Sequence, residues 1–246
     1  MFLSLLGALA IGLTLGILGS GGSILTVPVL TYLVGLEDKV AIASSLAIVG
    51  AISMVAAIPQ ARRGLVDARS VVFFGLPGMA GAYLGADLSR HVSGTAQLSA
   101  LAGLMLLAAV LMLRPIKPKT STKTQAAWMI ALEGAIIGVL TGFVGVGGGF
   151  LIVPSLVFLG GLSMQRAVAT SLVIIALKSA TGFVKYVDVL NDLDLSLDLR
   201  VLVLFSAVGI LGSLSGTKVG AMVSQRALRQ SFAGLLVVIG GLLVVI

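Results

Sequence analysis

Two glycine runs, Gly19-Ser20-Gly21-Gly22-Ser23 and Gly145-Val146-Gly147-Gly148-Gly149, interrupt apolar stretches and are the first candidates for chemistry. Glycine permits positive φ and close approach of the backbone to a ligand. A helix that begins just after such a run aims unsatisfied N–H groups and a partial positive charge at the break. That combination binds an anion without a charged side chain. Gly19 to Ser23, Gly145, Gly147, Gly148 and Gly149 are therefore candidate substrate ligands.

A second set lies on the helix expected after the second run. Thr170, Ser171, Lys178, Thr181 and Lys185 recur near intervals of seven, so much of the set shares one side. Lys178 stands twelve residues into an apolar span, where a charge costs at least about 2.5–3.5 kcal/mol on insertion scales. Such a residue usually faces a cavity. The competing reading is a lysine that snorkels to the surface. In the first half Ser44, Ser45, Ser53 and Gln60 occupy the related face, but Ile52 stands where the lysine would be. Ser45, Thr170, Ser171 and Lys178 join the candidate substrate ligands, in a site expected to be asymmetric.

Pro28, Gln60, Arg62, Pro154, Lys185 and Tyr186 are candidates for gating or for lining a cavity. Pro28 and Pro154 lie six residues after Gly22 and Gly148 and read most simply as kinks. Arg62 reads most simply as a topology signal. No catalytic group is expected: Ser20 has no base with which to form a dyad. The chain has no cysteine and one histidine, His91, so neither a metal nor a cofactor site is expected.

The elements that must position these residues come in two copies. A shift of 126 residues lays GVLTGFVGVGGGFLIVPSL, from Gly138, on GLTLGILGSGGSILTVPVL, from Gly12. Ser45-Leu46 falls on Ser171-Leu172 at the same shift. Beyond that the register grows by five, placing Gly81, Gly85 and Gly103 on Gly212, Gly216 and Gly234. The chain therefore divides into a repeat over 1–114, a basic linker over 115–125 and a repeat over 126–246. Each repeat opens with an apolar stretch of about 32 residues, broken by its glycine run, and continues with three spans. Gly12/Gly16, Gly81/Gly85, Gly138/Gly142 and Gly212/Gly216 are G-x-x-x-G pairs and read as helix packing.

Composition sets the solvent. Hydrophobic residues make up 58% of the 246 and charged residues 10%, against about 25% charged in soluble domains. Runs such as Val71–Leu84 and Leu98–Leu113 approach the length that crosses a bilayer. The fold class is an all-α integral membrane protein. The first run has no positive residue ahead of it, unlike a secretory signal, and reads as part of the mature fold. The net charge of +7 reflects basic loops rather than nucleic-acid binding. If each glycine break folds its stretch into a re-entrant hairpin of half-helices, eleven Lys and Arg fall in loops on one side and four on the other. The basic side would be cytoplasmic, and the two repeats would be inverted. Broken helices at matching positions of two repeats point to a transporter's binding site, since irregular backbone at membrane depth must be buried or face a cavity.

The doubled G-x-x-x-G-x-x-G-x-G-G-(G)-x-x-x-V-P-x-L resembles the sulfite exporter TauE/SafE family. So do A-x-A-[ST]-S-L at Ala41–Leu46 and Ala167–Leu172 and R-x-G-x-V-D at Arg62–Asp67. The resemblance covers nearly the whole chain. It implies export of small sulfur-containing anions, such as sulfite or a sulfoacetate-like organosulfonate, across the cytoplasmic (inner) membrane. The first run departs from the triple glycine through Ser20 and Ser23, whose hydroxyls would donate to substrate oxygens or mark a different substrate. The expected function is secondary active transport of such an anion by alternating access. An anion channel, a transporter of another oxyanion or a carboxylate, and a membrane enzyme remain as alternatives. Expected partners are the anion, membrane lipids and, as a further candidate, a coupling proton or sodium ion; the oligomeric state is left open.

Overall fold

A computed structural model describes residues 2–113, 126–146 and 149–245. The described residues form helices and short connections, with no strand among them. In the first half these are α1 (Phe2–Leu18), α2 (Gly21–Pro28), α3 (Asp38–Arg62), α4 (Ala68–Ser70), α5 (Leu76–Leu88) and α6 (Gly94–Leu113). In the second they are α7 (Ala127–Val144), α8 (Gly149–Phe158), α9 (Met164–Asp192), α10 (Leu199–Gly220) and α11 (Gln225–Val245). Among the described residues seven helical stretches are long and apolar enough to cross a membrane; α4 and α5 together supply one of them, Ala68–His91.

Local chemistry sets the boundaries. The Ser163 hydroxyl and the Asp67 and Asp198 carboxylates accept from first-turn N–H groups of α9, α4 and α10, as N-caps do. Prolines stand beside two π-helical segments. Val29–Val34 follows Pro28, and Val71–Gly75 precedes Pro77. A proline nitrogen cannot join the helical ladder, and single π turns are one way a helix absorbs the irregularity. Pro154 sits buried within α8, which ends at Phe158.

The first glycine-broken stretch folds back on itself. A Cβ at Gly22 would run into the carbonyl oxygen of Ile11, and one at Gly7 would meet Val29 at 2.8 Å. The start of α2 thus lies beside the later part of α1, and Val29, just beyond α2, beside its beginning, which makes the pair an antiparallel hairpin. The arms differ in length from the expectation of two short half-helices. The 18 residues of α7 are enough to span by themselves, while α8 has 10.

The halves interlock by exchanging partners. Helix α1 packs against α10, and α7 packs against α5. A Cβ at Gly12 would collide with the Gly209 carbonyl and one at Gly16 with the Ser213 carbonyl; at Gly81 and Gly85 the obstacles are the Ala135 and Val139 carbonyls. The G-x-x-x-G pairs therefore bring backbones into contact, as packing between membrane helices favours. Contact positions rise together in both pairs, so each runs parallel. Helices α3 and α9 cross at the centre: Gly50 faces Ser179 and Gly182 faces Leu46, an antiparallel order.

The loops gather at two ends. Arg166 at the start of α9 pairs with Asp67 beyond α3 at 3.3 Å, marking a basic end. At the other, acidic end Lys39 donates to the Ser89 carbonyl at 2.6 Å and Arg90 pairs with Asp192 at 3.5 Å. The linker 115–125 lies outside the described residues.

Candidate functional site

The two breaks meet. A Cβ at Gly149 would overlap Ser20 and would stand 2.5 Å from Ile175 Cδ1, so Ser20, the start of α8 and the middle of α9 converge on one point. Gly147 and Gly148 lie outside the described residues.

Gly19 and Gly145 end helices rather than offering donors. Both have left-handed backbone, φ 72° and 70°, the conformation that closes a helix C-terminus. The Gly19 N–H bonds to Leu15 O at 2.8 Å, and the Gly145 N–H to Thr141 O at 2.9 Å. Both N–H groups are thus engaged within their own helices. Gly21 and Gly22 open α2, where first-turn N–H groups have no acceptor within the helix. Gly22 also lets α2 settle on α1, and Gly21 lies against Leu18 and Leu235.

The hydroxyls divide by what they already bond. The Ser23 hydroxyl donates to Ser20 O at 2.7 Å, within its own break. Ser45 shares its proton between Ile42 O and Gly145 O, both at 2.8 Å. Ser171 shares its proton between Val168 O at 2.9 Å and Gly19 O at 3.4 Å. Ser23, Ser45 and Ser171 therefore hold the breaks in place rather than presenting a free proton to a ligand. Thr170 faces elsewhere, its oxygen accepting from the Asp67 N–H at 2.9 Å, which ties the loop after α3 to α9. Ser20 differs from these: its hydroxyl is fully buried and has no partner.

Lys178 is another buried group without a partner and, among the described residues, the one that can carry a charge. It is 1% exposed, and Nζ has no hydrogen-bond acceptor. It shares a face of α9 with Ser171 two turns earlier. It lies one turn beyond Ile175, whose tip reaches the junction of Ser20 and Gly149. Its stem crosses α5, with Cδ 3.2 Å from where a Gly78 Cβ would be. Ile52, its counterpart in the first half, lies on Gly209 in the same manner. The lysine thus occupies a packing position built for an aliphatic side chain, and it does not snorkel. Ser53 and Ser179, which the 126-residue shift superimposes, are also buried with unpartnered hydroxyls.

The remaining candidates lie toward the ends. Gln60 lines a cavity of about 140 Å³ at the basic end, with Gly16, Ile17, Gln165, Gly220 and Leu228. The cavity reaches inward to Val168, the residue that bears on Gly19. Arg62 is exposed at the end of α3, beside Arg63, Ile58 and Leu214 on an open groove. Lys185 pairs with Asp87 at 3.0 Å and lies 5.1 Å from the centre of the Tyr83 ring, at the acidic end. Tyr186 is fully buried and donates to Phe143 O at 3.1 Å. Gln97, which sequence reasoning passed over, donates to the Tyr186 hydroxyl at 2.9 Å and also to Phe143 O. Its signal in the sequence was an amide at the head of the apolar run Leu98–Leu113. Among the described residues no cluster of metal-ligating side chains occurs.

The comparisons with known proteins agree with this architecture. The family described as "Sulfite exporter TauE/SafE" matches residues 4–243. A probable membrane transporter protein of Xylella fastidiosa (strain 9a5c) is 33% identical over 235 residues, 93% of this chain and 88% of that protein. One from Methanocaldococcus jannaschii is 29% identical over 261 residues, covering 97% and 95%. One from Bacillus subtilis is 26% identical over 217 residues, covering 86% and 85%. No solved structure matches the chain. With seven stretches among the described residues able to cross a bilayer and a family match over nearly its full length, this chain is a multi-pass membrane transporter belonging to the sulfite exporter TauE/SafE family.

Proposed function

We propose that the protein is a secondary active transporter that exports a small sulfur-containing anion, such as sulfite or an organosulfonate, across the cytoplasmic membrane. The anion binds between the first turn of α2, the Ser20 hydroxyl and the Lys178 ammonium. The observation that carries this reading is Lys178, buried to 1% exposure with no partner for Nζ. A buried cation without a counter-charge is costly unless a ligand supplies one. The oxygens of a sulfur oxyanion meet that need and also accept from Ser20 and from the free N–H groups that open α2. The family description names sulfite export, which supports the choice of anion.

The two repeats are inverted across the membrane, with the basic end cytoplasmic. Supporting this are the doubling back of α2 on α1 and the antiparallel crossing of α3 and α9. The excess of Lys and Arg in the basic-end loops gives the direction. Asn191→Cys, exposed near the acidic end, tests the orientation, since the chain has no native cysteine. Labelling of that cysteine from the cytoplasm alone contradicts it.

Binding is tested by thermal shift in detergent with sulfite, thiosulfate, sulfoacetate, taurine, sulfate and carboxylates. Lys178→Ala and Ser20→Ala are expected to abolish the shift that the best anion gives. If both variants keep the parent's affinity for every transported anion, the site is wrong. Counterflow in proteoliposomes separates a carrier from a channel, because acceleration by trans substrate requires a carrier.

A further inference from the structure

The basic-end cavity has a counterpart at the acidic end, and that counterpart is filled. The repeat registers, 126 residues for the first elements and 131 for the last spans, assign each lining residue a partner. Gln60 corresponds to Tyr186, Ile17 to Phe143 and Leu228 to Gln97. Gln165 corresponds to Lys39, and Gly220 to Ser89. At the basic end these residues surround about 140 Å³ of empty space. At the acidic end their counterparts bond to one another. Gln97 donates to the Tyr186 hydroxyl and to the Phe143 carbonyl, Tyr186 donates to that same carbonyl, and Lys39 donates to the Ser89 carbonyl at 2.6 Å. Tyr186, Gln97 and Ser89 are each 0% exposed.

We infer that the Tyr186–Gln97–Phe143 cluster, strapped by Lys39 to Ser89, is the closed gate of the acidic end, and that the structure is the state open toward the basic end. The inference rests on the alternating-access reading above, but it does not depend on which anion is carried. Alternating access in a transporter of two matched repeats is largely rocking or gating of one repeat against the other around the site, so the closed end opens toward the arrangement now seen at its counterpart. Opening the acidic end must therefore withdraw Tyr186 and Gln97 from the Phe143 carbonyl, two residues before Gly145. The carbonyl is what the gate grips: it belongs to α7, whereas Tyr186 is on α9 and Gln97 on α6, so three helices part when the bonds release. A second layer follows the same geometry. Lys185 to Asp87 and Arg90 to Asp192 link α9 to the end of α5 and the turn after it. Their side chains are partly exposed, so they guard the entrance rather than seal it.

The gate is tested by cysteine accessibility without substrate, in vesicles of both orientations, with a membrane-impermeant maleimide. Val168→Cys lines the open cavity, and Ile42→Cys is its counterpart beneath the gate. Val168→Cys is expected to react from the basic side, while Ile42→Cys is protected from both sides. Adding Tyr186→Phe, which keeps the ring and removes the hydroxyl, is expected to raise Ile42→Cys labelling several-fold from the acidic side alone. Tyr186→Gln, which installs the residue found at the counterpart position, is expected to raise it further. Lys39→Gln provides an independent release of the strap in a protein whose ring packing is untouched. Unchanged Ile42→Cys labelling in all three backgrounds, with each protein still eluting as a folded species, overturns the gate. So does protection of Val168→Cys from the basic side. Loss of anion binding in Lys178→Ala alters neither labelling result, so failure of the binding site and failure of the gate are told apart.

Discussion

The Ser45 hydroxyl donates to the carbonyl of Gly145, 100 residues further along the chain, at 2.8 Å. Ser171, at the equivalent position of the other half, reaches the carbonyl of Gly19 at 3.4 Å. Each break is thus held by the helix that follows the opposite break. The same exchange governs packing, since a Cβ at Gly145 would strike Ile42 and one at Gly19 would meet Val168 Cγ1 at 2.7 Å. The consequence is mechanical coupling. Neither break can shift without moving a helix of the other half, as the alternating access proposed above requires.

Ser45→Ala removes the donor to a carbonyl that ends α7. A net hydrogen bond is worth about 1 kcal/mol, and an acceptor left buried and unpaired costs about 1–3 kcal/mol. Thermal unfolding in detergent should show Ser45→Ala less stable than the parent by an amount in this range. Ser171→Ala, which loses the longer contact, should fall less. No loss in either variant would mean that the two breaks are held by packing alone.

How far the site was legible in the sequence depended on whether a residue's role lay in its type or in its partner. Lys178 was legible because a lysine twelve residues into an apolar span is costly wherever it points. The glycine pairs were legible because their spacing repeats between halves. The helix-ending conformation of Gly19 and Gly145 was not legible because glycine serves equally as an N–H donor to an anion and as a left-handed helix end, and only the structure shows their bonds to Leu15 and Thr141. The partner of Thr170 was hidden for a related reason. It shares its neighbourhood in sequence with Ser171, but one residue is a rotation of about 100° on a helix, and that turns it to Asp67. Gln97 was missed because a lone amide at a helix start is usually solvated, and its partners Tyr186 and Phe143 lie far away in the chain.

Glycine-to-alanine substitutions separate packing from conformation. Gly12→Ala and Gly85→Ala place a methyl group against the carbonyls of Gly209 and Val139. Overpacking of this kind costs about 1–3 kcal/mol, and both variants should unfold at lower temperature. Gly103→Ala and Gly234→Ala meet nothing within 4 Å and lie within α6 and α11, where alanine is the better helix former by about 1 kcal/mol. They should leave stability unchanged or raise it. A loss at Gly103 or Gly234 equal to that at Gly12 would remove the distinction.

Gly145→Ala combines two penalties that a double variant can divide. Left-handed backbone costs a non-glycine residue about 1–2 kcal/mol, and the added methyl overlaps the Ile42 side chain. Pairing it with Ile42→Ala should recover part of the loss, while the backbone cost persists. Coupling energies of about 0.5–3 kcal/mol are usual for residues in contact. A strictly additive pair would mean that the collision is relieved elsewhere at no cost.

Lys178→Met tests the site by splitting stability from binding. The lysine stem lies on Gly78 just as Ile52 lies on Gly209, so an unbranched apolar side chain fits the space. Replacing a buried charge with a hydrophobic group of similar volume is often neutral or stabilising by about 1–4 kcal/mol. Without ligand, Lys178→Met should therefore melt at or above the parent temperature. The same variant should lose the anion-induced shift, because the remaining donors at Ser20 and the start of α2 carry no full charge. A lysine retained for packing alone would give the reverse pattern, lower intrinsic stability with the anion shift intact. The two readings are opposed in both measurements, so a single melting series with and without sulfite decides between them.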